Sequence, residues 1–155
     1  MERTTGSEPG FWMNDGMLEL WLRLLALHLP EPNDYGEHAA TLDIRNRWLL
    51  ASRGYFGGCV PHDMEFACST PEGRDVVRKA IDSLLCELCR VDSPLDAATI
   101  NLLGIEGGQF CSSIERSCLK DVAYAFIDLL DGKIKGKASP AEVMPGTKPY
   151  RRATE

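Results

Sequence analysis

Apolar residues along this chain recur at helical spacing in five separate stretches, and in none of them do they alternate. The first is "MLELWLRLLALHL" (17–29). It predicts a helix from about Gly16 to Leu29, with Asn14 or Asp15 available as N-cap and "PEP" at 30–32 as the stop. Leucine, tryptophan or methionine covers most of its circumference, leaving Glu19 and Arg23 as an i,i+4 polar stripe. A helix apolar on most sides belongs at the centre of a bundle. A second helix is expected over about 36–53, with Ala40, Ile44, Trp48 and Ala51 on one face, Leu49 and Leu50 widening it, and Arg45 and Arg47 pointing elsewhere. The third opens with Thr70 as cap and Pro71 in its first turn; Val77, Ile81, Leu84 and Leu88 form its apolar stripe. The fourth repeats that grammar, with Ser93 as cap and Pro94 at the first position, and runs to Gly104. The fifth begins at "SSIE", a capping box of Ser112 and Glu115, and continues through Leu119, Val122, Phe126 and Leu130 to Gly132.

No segment shows the period-2, β-branched pattern of a half-buried strand. The fold class expected is therefore all-α, a single-domain bundle of about five helices over residues 14–132. Residues 1–13, rich in Gly, Pro, Ser and Thr, read as a flexible N-terminal segment for which Phe11 and Trp12 are the available anchors. Residues 133–155 read as a flexible basic tail.

The length of 155 residues suits one domain with a continuous core. Charge is divided unevenly. The net −6 resolves into +4 from Lys133 onward and −10 over the preceding 132 residues. An acidic body repels nucleic-acid phosphate and steers towards basic protein partners. No apolar run reaches the roughly 18–20 residues of a membrane span, and no secretion signal is visible, so the expected address is the cytoplasm. There the six cysteines read as thiols, and Cys86, Cys89 and Cys118 fall in helices where small buried thiols are common.

The one chemically dense stretch is "GYFGGCVPHDMEFAC" (54–68). Cys59 and His62 lie three apart in it, with Asp63 or Glu65 able to orient the imidazole, as a Cys–His nucleophile requires. Thiol and base usually converge from different parts of a fold, however, and no oxyanion-hole pattern accompanies these. Zinc would need about four ligands converging from tight turns, whereas Cys86 and Cys89 sit near the end of a helix at no finger spacing from Cys111 and Cys118. A redox CxxC places its nucleophile at a helix N-terminus, and Cys86 is near the other end. "GIEGGQF" (104–110) matches no phosphate-binding pattern. This reading assigns no catalytic residue, no metal ligand and no cofactor. It assigns Tyr55, Phe56, His62, Asp63 and Glu65 to a partner-binding loop, aromatic anchors ringed by acid. Asp121 and Asp128, taken as a solvated acidic face of the last helix, are the next partner-binding candidates.

The stretches "MLELWLRLLALHL", "NRWLLASRGYFGGCVPH", "STPEGRDVVRKAIDSLL" and "NLLGIEGGQF" together resemble small helical bacterial immunity proteins, the partners of secreted antibacterial toxins. The resemblance implies a cytoplasmic inhibitor that binds one cognate protein toxin, a basic one suiting the acidic body, and blocks or distorts its active site. It transfers no named residue. A small Cys/His- or metal-dependent enzyme and a self-assembling helical adaptor remain the alternative readings.

Overall fold

The computed structural model describes residues 11, 13–29, 39–53, 62–102, 113–134 and 145–146. Six helices occur among them: α1 (Asp15–His28), α2 (Ala39–Ala51), α3 (Met64–Ala67), α4 (Pro71–Cys89), α5 (Ala97–Asn101) and α6 (Arg116–Leu130). The described residues contain no strand, and the domain is all-α. Its frame consists of α1, α2, α4 and α6, with α1 packed on α2 and α4, and α4 packed on α6.

The centre is α1. Asn14 caps it, the side-chain oxygen accepting the Met17 N–H at 3.3 Å. Leu20, Trp21, Leu22, Leu25 and Ala26 are all buried, so the helix is covered on several sides at once. Glu19 is buried too, so the expected polar stripe does not face solvent at that position. From the other side of the core Phe126 of α6 stacks on Trp21, centroids 5.4 Å apart, and Phe11 meets Phe126 edge-on at 5.1 Å. Phe11 is thus the anchor the sequence offered.

Helix α4 forms as its sequence predicts. The Thr70 hydroxyl accepts the Gly73 N–H at 3.0 Å, Pro71 opens the first turn, and Val77, Ala80, Ile81, Leu84 and Leu88 are buried. Helix α2 ends at Ala51, before the expected end at Arg53, and residues 36–38 of the expected start lie outside the described residues. Ile44, Trp48 and Ala51 face the core, but Leu50 does not widen that face: it is 52% exposed, and Leu42 is 45% exposed. Arg45 turns back to α1, donating to the Ala26 and Leu29 carbonyls at 3.3 and 2.9 Å. These carbonyls belong to the end of α1, whose last four C=O groups have no partner inside the helix.

Three expectations are corrected. The fourth predicted helix is only α5, five residues long, and its cap is Asp96, not Ser93: the Asp96 carboxylate accepts the Thr99 N–H at 2.7 Å. Pro94 does not open a helix, because Leu95 pairs with Ile114 in an isolated antiparallel bridge of two backbone hydrogen bonds, 2.9 and 2.8 Å. The same bridge holds Ile114 extended, so α6 starts at Arg116 with Glu115 in the cap position and no side-chain cap bond. Ser112, the other half of the expected capping box, lies outside the described residues. Beyond α6, Pro145 and Gly146 are buried, and Gly146 lies against Met17 of α1 and Val122 of α6.

Candidate functional site

The site is assembled where the chain returns from residue 62 onto the outer face of α2. The Trp48 indole, itself fully buried, donates to the His62 carbonyl at 2.8 Å and pins that strand of chain to the helix. The imidazole is half-buried, and its Nδ1 accepts the Met64 N–H at 3.1 Å, satisfying one of the donors at the start of α3. Burial holds His62 below the ordinary histidine pKa, against the opposing pull of Glu65 and Asp63. Asp63 takes the left-handed conformation, φ 51, which a short polar side chain tolerates. That turn starts α3 abruptly. One four-residue helix then buries Ala67 and leaves Glu65 and Phe66 facing outward, Phe66 at 43% exposure.

Arg47 of α2 organises the surface. Its Nε lies 3.3 Å from Asp43 Oδ2 and its Nη1 3.4 Å from Asp63 Oδ2, while the guanidinium carbon stands 4.1 Å from the centre of the Phe66 ring. Exposed ion pairs of this kind contribute about 0–1 kcal/mol each, and an exposed cation–π contact about 0.5–1 kcal/mol. Their effect is positional: two carboxylates hold the guanidinium, which covers one face of the Phe66 ring at the surface. Leu42, Asn46 and Leu50 share the same outward face of α2. Phe66 and Arg47 meet at this surface, Asp43 and Asp63 pair with the guanidinium, and Leu42, Leu50 and Glu65 are exposed on the two helices.

Of the residues expected in a partner-binding loop, His62, Asp63 and Glu65 are thus brought together beside α2. Tyr55 and Phe56, and Cys59, lie outside the described residues. The connection is not a loop throughout, since 64–67 are helical. The acidic face of α6 is corrected. Asp128 is fully buried and Asp121 half-buried, while Asp131 is engaged with Arg78 at 2.7 Å. Arg47, Leu42 and Leu50 were missed as site residues. The Asp43–Arg47 i,i+4 pair was the available signal: it marks the solvent face of α2, and Leu42 and Leu50 fall on that same side.

A shallow depression between the start of α4 and the end of α6 is lined by Pro71, Arg74, Asp75, Arg78, Leu130 and Asp131. Its arginines are committed, Arg74 Nη2 donating to the Leu130 carbonyl and Arg78 to Asp131. It closes the C-terminus of α6. Among the described residues, no group of three or more His, Cys, Asp or Glu side chains could hold a metal ion. Cys68 and Cys118 are half-buried, and burial pushes both thiols above their ordinary pKa. Cys86 and Cys89 are exposed. No helix among the described residues is long and apolar enough to cross a membrane. Compared with protein-family models, curated proteins and solved structures, the chain matches none.

Proposed function

We propose that this protein works by binding another protein, and that the face built by α2 and α3 is the recognition surface. The observation that carries the reading is Phe66, an exposed aromatic covered by the Arg47 guanidinium, which is paired with Asp43 and Asp63, while Leu42 and Leu50 stand exposed on the same helix as Arg47. Fixed aromatics beside arginine are the usual anchors of protein interfaces, because little side-chain entropy remains to be lost on binding. The finer reading is an immunity protein that neutralises a cognate toxin by tight complex formation in the bacterial cytoplasm. It draws on the resemblance of the helical stretches, and on the −10 carried by residues 1–132, which favours encounter with a basic partner.

The test is co-expression with a toxin encoded beside the gene. The wild-type protein is expected to rescue growth and to form a stable complex. Phe66→Ala and Leu50→Glu are expected to weaken that complex, Phe66→Ala by about 2 kcal/mol or roughly thirtyfold, with the melting temperature unchanged. Full affinity in both variants would move the interface away from this face. Failure to rescue by the wild-type protein would remove the toxin reading and leave the surface to be tested against other partners.

A further inference from the structure

Two thiols that the binding face does not use stand one turn apart at the end of α4. Cys86 and Cys89 are both exposed and free, and Cys89 is the last helical residue. Cysteine is among the most buried residue types, so an exposed pair at i,i+3 departs from its ordinary use as a small core residue. Helix geometry puts the two Cα atoms about 5 Å apart, inside disulfide range. The Cβ atoms stand about 5–6 Å apart, slightly beyond it. Closure therefore requires one end of the segment to leave the helix, and here one end already borders it. Arg90 follows with a single i→i−3 bond to the Glu87 carbonyl at 3.2 Å.

We propose that Cys86 and Cys89 form a reversible intramolecular disulfide, a redox modification site whose closure unwinds the last turn of α4. With a small-molecule disulfide such as oxidised glutathione, the Cys86 thiolate attacks one sulfur and releases one glutathione thiolate, forming a mixed disulfide. The Cys89 thiolate then attacks the Cys86 sulfur and releases the second. Two thiol protons leave the protein, and the two electrons it loses reduce the glutathione disulfide. A disulfide formed against helix geometry is strained, which places it among the reducible ones. Its closure also disturbs the Glu87 carbonyl, which accepts from Arg116 of α6 at 3.4 Å, while Arg116 holds the Ser93 carbonyl at 2.7 Å. Oxidation thus loosens the tie between the end of α4 and the start of α6.

The folded protein is incubated with oxidised glutathione without denaturant, alkylated and cut with trypsin. The peptide Ala80–Arg90 contains both cysteines and no other. It is expected unalkylated, two hydrogens lighter than the reduced form and restored by dithiothreitol, with faster amide exchange at Cys89 and Arg90. Cys86→Ser and Cys89→Ser are expected to stop at the mixed disulfide on the remaining thiol. A wild-type peptide that carries glutathione without closing, or that links two chains, would overturn the proposal. So would closure with unchanged exchange at the end of α4.

Discussion

Gly73 shows how a single hydrogen atom in place of a side chain joins two helices. It is buried in the first turn of α4, and a Cβ there would collide with the backbone carbonyl of Ala67 in α3. In an open helix, Gly→Ala is stabilising by about 1 kcal/mol. Here the collision with backbone dominates, because no rotamer can relieve it. Gly73→Ala is expected to lower stability by about 1–3 kcal/mol in urea unfolding, a scale typical of overpacking. Thr70→Ala, which removes the oxygen that accepts the Gly73 N–H, is expected to cost about 1 kcal/mol. The two sites touch, so the double variant will not show the sum. A stabilised Gly73→Ala would mean that α3 moves freely relative to α4.

At the scale of the element, α3 is too short to be stable by itself, since a four-residue helix hardly exceeds its own nucleus. It exists because Trp48, His62 and Arg47 hold its start. That dependence has a pH signature. Burial lowers the His62 pKa from 6.5, and the neutral ring accepts from the Met64 amide through Nδ1. Protonation would turn that acceptor into a donor. Because the folded pKa is depressed, the contribution is fully present above 6.5 and is lost as pH falls below it towards the folded value. His28, which meets the Ser83 hydroxyl at 2.8 Å, is lowered for the same reason and acts with the same sign. Melting temperature is therefore expected to fall as pH drops below 6.5. Replacing each histidine by glutamine should remove part of that slope, and a flat profile in the wild-type protein would contradict the argument. If α3 forms the binding face, complex formation should weaken over the same window.

For the whole molecule, two residues outside the helical frame, Phe11 and Gly146, join the core. Phe11 packs on Phe126, and Gly146 sits between α1 and α6 at φ +92. A Cβ at Gly146 would lie 2.6 Å from Met17 Cγ and 3.1 Å from Val122 Cγ2. Gly146→Val is expected to destabilise by about 1–3 kcal/mol, through both the left-handed backbone and the overpacked seam. It should also make the segment from Lys133 onward more sensitive to limited proteolysis. A freely flexible tail would tolerate the substitution without any change in melting temperature or cleavage.

The periodic stretches by themselves determined that the protein is helical and where most of its core lies. Ile44, Trp48, Val77, Ile81, Leu84, Leu119 and Val122 are buried because spacing near 3.6 aligns those of each helix on one face, and Leu20 and Trp21 are buried because α1 is apolar on most sides. Asn14 and Thr70 were legible as caps for an equally local reason, since each oxygen reaches a donor three residues on. Other outcomes depended on partners distant in sequence. Pro94 failed as a helix start because Leu95 found Ile114, and α3 appeared because an indole on α2 reached the His62 carbonyl. Asp128 is buried although its spacing suggested a wet face, and Leu50 is exposed although it is apolar, because the direction of burial is set by which helices pack against which. The candidate surface belongs to this second group. His62, Asp63 and Glu65 could be named from their residue types, but Arg47, Leu42 and Leu50 joined them only when residues 62–67 folded back onto α2. A local pattern records which side of a helix is apolar, whereas a surface is decided by what tertiary packing leaves uncovered.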